Sequence, residues 1–213
     1  MNQTFFNDSS DSTTETEWMS IGDLMAGLLL IFALLITATL YELSKVEENL
    51  RNRRVIVIQA LQEQFNAHGI AAQVNSETGD VNLLDEVLFE TGRAELTNQG
   101  NLFLEKFVPV YGRAIFKDPT ISEEVTRVII EGHTSSEGSS SYNMALSLKR
   151  ANSVFNFIDT YNFTEKQQLL NKLQVSGRGR LDADSTKSLA SDRKVVFRMQ
   201  FKSDEASFRF MNN

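Results

Sequence analysis

Residues 18–41, WMSIGDLMAGLLLIFALLITATLY, form the one segment of this chain that is ill suited to water. Leu24–Leu40 is 17 residues without a charged side chain. A hydrocarbon core of ~30 Å asks for about 20 such residues in a helix. Trp18 and Tyr41, aromatic residues suited to the two interfaces, complete the length. A helix apolar on every face fits a lipid environment better than the core of a soluble protein. A cleaved signal peptide would open on a positive stretch, whereas residues 1–17 hold four acids and no base. The expected start of the chain is therefore a disordered tail over 1–17 and a transmembrane helix over 18–41.

One acid interrupts the apolar run. Asp23 lies about one and a half turns, roughly 7 Å, inside the Trp18 boundary. A carboxylate at the bilayer centre costs ~2.5–3.5 kcal/mol on insertion scales, so a dry carboxyl group favours its neutral form. A group that is neutral when dry and charged when wetted can ferry a proton across a barrier. No other ionisable side chain lies between Asp23 and Tyr41, so Asp23 is the candidate carrier. The same residues have a local reading. Ser20-Ile21-Gly22-Asp23 fits the capping box at a helix start, where an acid also suits the helix dipole. Thr37 and Thr39 read as pore-lining hydroxyls or as donors to carbonyls one turn back. Lys45, Arg51, Arg53 and Arg54 follow the span and no base precedes it. The positive-inside rule by itself places the C-terminus in the cytoplasm.

Composition limits the roles open to the residues after the span. Net charge is -7, and from residue 55 onward 17 bases face 20 acids, which argues against a nucleic-acid partner. The absence of cysteine excludes disulfides, thiolate metal sites and thiol catalysis. His68 and His133 are too few for a convincing metal cluster, and His133 reads as a packing residue at a strand end. There is no Gly-x4-Gly-Lys-[Ser/Thr] loop for ATP. Ser191-x-x-Lys194 precedes a strand rather than opening a helix, so it is not read as a hydrolase motif. Gly177-Arg178-Gly179-Arg180 reads as a turn. Neither enzymatic activity, cofactor nor metal is expected.

Residues 42–70 read as a helical linker, with Leu43, Val46, Leu50, Val57, Leu61 and Phe65 at roughly helical spacing and Gly69 as its stop. Residues 71–203 read as an α/β domain, and 204–213 as a C-terminal tail. Two short strands flank the turn Glu77–Asp80. A helix over about 97–116 is expected to bury Leu102, Phe103, Phe107, Val110, Ala114 and Ile115, with Pro109 inside it. Asp118-Pro119 reads as a loop and 125–131 as a strand. A helix over 140–161 presents Met144, Leu148, Ala151, Phe155 and Ile158 as its apolar stripe. A short helix (164–172), a short strand (173–176) and a final strand (193–202) complete a βαβαββ sandwich with helices on one side.

Five blocks now occur in order: Phe89-x-x-Gly92-x-x-x-Leu96; Gly132-His133-Thr134; Tyr142-Asn143-x-x-Leu146-Ser147-x-x-Arg150-Ala151; Gly177-Arg178-Gly179; and Asp192-Arg193-Lys194-Val195. Together they resemble the OmpA-type peptidoglycan-binding domain over roughly 75–203. Trp18-x-x-x-x-Asp23-Leu24-Met25 resembles the transmembrane helix of MotB-like stators. Within that group, Trp18-x-Ser20-x-x-Asp23-Leu24-Met25, Ile130-Glu131-Gly132, Leu146-Ser147-Leu148 and Arg198-Met199-Gln200-Phe201 are most similar to the ZorB-type subunits of Zorya anti-phage systems.

The resemblance implies an inner-membrane, single-pass homodimer with a cytoplasmic N-terminus, set inside a ring of MotA-like (ZorA-like) subunits. Asp23 would bind and release protons, and a periplasmic domain would grip peptidoglycan. This orientation opposes the one read from the basic residues. Asn143, Leu146 and Arg150 fall at i, i+3 and i+7 on one helix face, expected about 120° from the apolar stripe and free to hold a ligand. Arg150 suits a stem-peptide carboxylate, with Tyr142 in the same block and Arg193 lining the same pocket. The family places an acid directly after Gly-His-Thr to pair the ligand's amine; here that position is Ser135. Weaker binding, a substitute role for Glu137 and a different ligand all remain open. So do two other functions: a flagellar or other MotB-like stator, and a membrane-tethered anchor without ion flow.

Overall fold

In the computed structural model the described residues are 11–184, 186–187, 189–202 and 204. The chain divides into two units, residues 1–49 and 50–213. Helix α1 runs unbroken from Asp11 to His68, and Gly69 at φ +62° ends it in the left-handed conformation that glycine adopts without a Cβ clash. Residues 11–17, expected to be disordered, are helical. Once the span has formed, each further residue adds a hydrogen bond for a single residue fixed. Residues 1–10 and most of the expected C-terminal tail lie outside the described residues.

In the first unit, Ile21–Val46 is long and apolar enough to cross a membrane, and its side chains are exposed on all faces. Thr37 and Thr39 donate to the carbonyls of Ala33 (2.7 Å) and Ile36 (2.8 Å), so their hydroxyls are satisfied within the helix.

In the second unit the sheet order is β1-β2-β5-β3-β4, from β1 (Gln73–Val74), β2 (Val81–Leu84), β3 (Val125–His133), β4 (Leu173–Gly179) and β5 (Lys194–Phe201). β3 and β4 are parallel, and the other neighbours antiparallel. β4 extends through the predicted Gly177–Gly179 turn because those residues pair with Gly132 and His133. The helices are α2 (Asp85–Leu88), α3 (Asn98–Phe116), α4 (Pro119–Glu124), α5 (Ser140–Thr160) and α6 (Lys166–Leu170). The expected Asp118-Pro119 loop is a helix start instead. Asp118 accepts from Thr120 N–H at 2.8 Å, and Pro119 fills the first helical position, where a missing N–H costs nothing.

The α3 face centres on Phe107 and Tyr111, whose rings each lie 5.1 Å from that of Phe197 on β5. Leu104 and Val108 are buried with them, whereas Leu102, expected inside, points outward. Val57, Leu61 and Phe65 of α1 also enter this core, so the stretch read as a linker includes a core segment. Arg53 bridges to buried Glu124 at 2.6 Å, and Arg54 stacks 4.7 Å over Phe201.

Candidate functional site

Much of the motif pattern is packing. A Cβ on Gly132 would lie 2.0 Å from the Ser147 carbonyl oxygen, and one on Gly177 would lie 2.8 Å from Ser147 Oγ. Only glycine lets α5 approach β3 and β4 this closely. The Ser147 hydroxyl donates to Met144 O and accepts from Gly179 N–H, both at 2.9 Å, tying helix to sheet.

This approach sets the rotation of α5 and corrects its expected faces. The buried residues are Asn143, Ser147, Arg150, Ala151, Val154 and Ile158, which at 100° per residue span an arc of about 100°. Met144 and Leu148, read as apolar stripe, are exposed at the rim. Asn143 and Arg150, read as facing away from that stripe, point into the domain. Hydrophobicity alone misplaces the face because polar residues belong to it, Ser147 near its centre and Arg150 at its edge.

Arg150 is held on several sides. Its Nη1 lies 3.0 Å from Asp85 Oδ2; Nε–H donates to Arg93 O at 2.8 Å and Nη2–H to Glu90 O at 3.4 Å. The Phe89 ring centroid lies 5.3 Å from its guanidinium carbon. Arg150 therefore anchors the 90–93 loop, and it is not the free cation the sequence suggested. Tyr142 and Leu146 are reachable: with Gly92, Arg93, Glu95 and Lys149 they line a groove of about 270 Å³. Asn143 donates to Glu137 O at 2.6 Å, closing the loop before α5.

Asp85, Arg193 and Thr134 end three neighbouring strands. Leu84 pairs with Lys194 and Lys194 with His133, while Asp85 N–H donates to Arg193 O at 3.3 Å. The pleat places all three on the helix side. Thr134 follows Gly132, which meets α5; Arg193 lies four residues from Phe197, which meets α3; and Asp85 reaches Arg150. Burial pushes the Asp85 carboxyl up to about 6, against the opposing pull of Arg150 and Arg193. Ser135 is buried next to Thr134, whereas Glu137 is exposed. The structure thus brings Arg150 and Arg193 around Asp85, and places Tyr142 and Leu146 on a separate groove. Nothing local in the sequence marks Asp85. Its signal, an acid at a strand end, becomes visible only once the register sets it beside Arg193.

The sheet face away from the helices carries a charge network. His133 Nε2 lies 2.9 Å from Glu131 Oε1, and Nδ1 lies 3.4 Å from Asp182 Oδ2. Arg178 grips Asp182 through two contacts of 2.8 and 3.1 Å, and Arg198 reaches Glu131 at 3.1 Å. Burial raises Glu131, but the His133 hydrogen bond and Arg198 outweigh it and hold the carboxyl below its usual range. The two carboxylates meet opposite ring nitrogens and each is paired with an arginine, an arrangement suited to clamping His133 rather than to sharing one metal ion. Arg180, read as part of a plain turn, donates to Ser136 O (3.1 Å) and Gly138 O (2.8 Å), tying the loop that carries Ser135 to the loop after β4.

Asp23 lies twelve residues inside α1, so Ser20–Asp23 does not begin a helix and the capping reading fails. The Asp23 side chain is exposed on the isolated chain.

The sequence profile of the OmpA family matches residues 88–196, just over half of the chain. Zorya protein ZorB from the Crooks strain of Escherichia coli is 29% identical over 170 residues, covering 71% of each chain. Zorya protein ZorB from Escherichia coli O139:H28 is 25% identical over 225 residues, covering 93% of this chain and 89% of its own. A crystal structure of a putative MotB-like protein from Desulfovibrio vulgaris superposes with a TM-score of 0.54 at 20% identity, covering 74% of this chain and 96% of that one. The chain belongs to the OmpA family, with a MotB-like fold and similarity to ZorB.

Proposed function

We propose that this chain is the cell-wall-anchored stator subunit of a proton-driven inner-membrane motor in a Zorya-type anti-phage system. Its N-terminus lies in the cytoplasm and its OmpA-family domain in the periplasm. Two copies pair inside a ring of MotA-like (ZorA-like) subunits, and Asp23 carries the proton. The observation that supports this reading best is the placement of Asp23. It is an acid within a continuous helix, directly before 17 uncharged residues, in a chain that also carries a wall-binding type of domain. A helix end would have explained the acid by capping; the middle of a helix does not. Similarity over most of the chain to Zorya protein ZorB favours defence over flagellar rotation.

On the periplasmic side, the strand-end cluster of Asp85, Arg193 and Thr134 beside Arg150 is the reading's peptidoglycan site, with Ser135 and Asn143 at its edge and the Tyr142–Leu146 groove as a second contact. The experiment has two parts. A reporter fused after Asn213 should be active only in the periplasm, and the full chain in detergent should sediment with purified diaminopimelate-type sacculi. A cytoplasmic reporter refutes wall binding and restores the orientation indicated by Lys45, Arg51, Arg53 and Arg54.

A further inference from the structure

Strand β4 forms one edge of the sheet, and among the described residues no strand lies beyond it. Val128 N–H donates to Lys172 O at 2.9 Å, and Val128, Ile130 and Gly132 pair with Leu173, Val175 and Gly177. In a parallel ladder of this register, Gln174 and Ser176 turn their backbone groups to β3. Leu173, Val175 and Gly177 turn theirs outward, three N–H and three C=O groups in a row. The opposite edge, β1, is only two residues long, which blunts it. β4 has no such protection: residues 173–177, Leu-Gln-Val-Ser-Gly, hold neither a charge nor a proline. Helix α5 adds a second, independent feature. Met144, Phe155 and Leu148 fall within about 40° of one another at 100° per residue, on the flank away from Arg150. That flank borders β4, since a Cβ on Gly177 would lie 3.0 Å from Leu148 Cβ and one on Gly179 would lie 3.2 Å from Met144 Cα. Leu148 is 47% and Met144 38% exposed, so the apolar stripe runs past the core to the open edge.

We infer that the β4 edge is the contact surface between two copies of this chain, joined by antiparallel β4–β4 pairing about a two-fold axis at Val175. Among two-fold registers, this one pairs all three outward residues: Val175 with its counterpart, and Leu173 with Gly177 on either side. Every outward N–H and C=O group of the edge is then satisfied. The side chains match as well. Leu173 lies opposite Gly177, which offers no bulk, and Gln174 lies opposite Ser176 on the other face of the sheet. Lys172 falls opposite Arg178. Its ammonium, however, is drawn inward to Ser122 O and Val125 O (2.6 Å each), and Arg178 is neutralised by Asp182 at 2.8 Å. The two five-stranded sheets become one, with both α5 helices on the same face and their Met144–Leu148 flanks turned to each other. The stripe expected to be core thus serves as core at Ala151 and Ile158 and as interface at Met144 and Leu148. The inference rests on the reading that two copies pair, and it says where their OmpA-family domains meet.

The test is cross-linking of the full chain, which has no cysteine of its own. In this register Gln174 and Ser176 of opposite copies face each other without mutual backbone hydrogen bonds, about 4.5 Å between Cα atoms, within disulfide reach. Like residues, 174 with 174 or 176 with 176, stand on the diagonal at about 7–8 Å, beyond that reach. Cells co-expressing Gln174→Cys and Ser176→Cys chains are therefore compared with cells holding either variant alone. On mild oxidation of their membranes, the mixed cells should give about tenfold more disulfide-linked dimer. Val175→Pro removes an outward N–H and none of the β3 ladder, a place where an edge strand tolerates proline. Added to both chains, it should lower the mixed cross-link about tenfold while the melting temperature stays near its original value. A mixed-to-single ratio near one overturns the inference and needs no Val175→Pro chain to fold. So does a folded Val175→Pro chain that cross-links as before. The mass of the unmodified chain in detergent separates the two readings. Two copies per particle with a ratio near one sinks this inference alone, and one copy per particle removes the pairing reading as well.

Discussion

The Arg150 guanidinium lies 3.0 Å from the Asp85 carboxylate, and the two side chains keep only 1% and 4% of their surfaces exposed. A pair this deeply buried contributes less than its proximity suggests, because both ions lose their hydration. Removing one partner is far worse, since it strands a charge. Arg150→Met should therefore destabilise the domain by about 3–5 kcal/mol. Asp85→Leu combined with Arg150→Met should cost clearly less than the two single changes added together. Urea unfolding followed by circular dichroism gives the cycle; additive costs would show that the pair is not coupled.

The same pair gives a pH dependence. Burial raises the Asp85 carboxyl from 3.8 to about 6, so the folded chain holds this proton more tightly than the unfolded one. Stability from this group is fully present below about pH 4 and is lost as pH rises through about 6. Between pH 7 and pH 5 the unmodified chain should gain about 1 kcal/mol relative to Asp85→Asn. Unfolding midpoints of both chains at the two pH values check the direction.

Gly132→Ala should be among the most damaging one-atom-scale changes in the domain. The added methyl meets the backbone carbonyl of Ser147, which cannot turn away as a side chain could. A cost of about 1–3 kcal/mol or more is expected. Reduced amide-exchange protection in β3 and β4 would report it.

On the opposite sheet face, His133→Leu leaves Glu131 buried without its ring hydrogen bond, with the charges of Arg198 and Arg178 still acting on it. A loss of about 1–3 kcal/mol is expected at pH 5. Because the folded Glu131 carboxyl is depressed, its stabilising contribution is present above 4.5 and lost as pH falls through the folded value. The difference between His133→Leu and the unmodified chain should therefore shrink from pH 5 to pH 3.

The transmembrane run, the Gly69 stop, α3, α5 and the last strand were all legible because periodicity and terminators mark them locally. The rotation of α5 was not, since its buried face includes Ser147 and Arg150, whose burial depends on Gly132 and Asp85 far away in sequence. Asp85 itself was invisible for the same reason: its meaning comes from register, a long-range property. The cap reading of Asp23 was reasonable locally and failed because the helix already includes Asp11, twelve residues before Asp23.

The central claim is that Asp23 carries protons through a wall-anchored stator. Its most direct measurement is phage plating on cells that express the complete defence system with Asp23→Asn at unmodified abundance in the membrane. Asparagine keeps the size and polarity of the side chain and removes the titrating proton. The expected result is full phage plating, as on cells without the system; protection equal to that of the unmodified chain would contradict the claim.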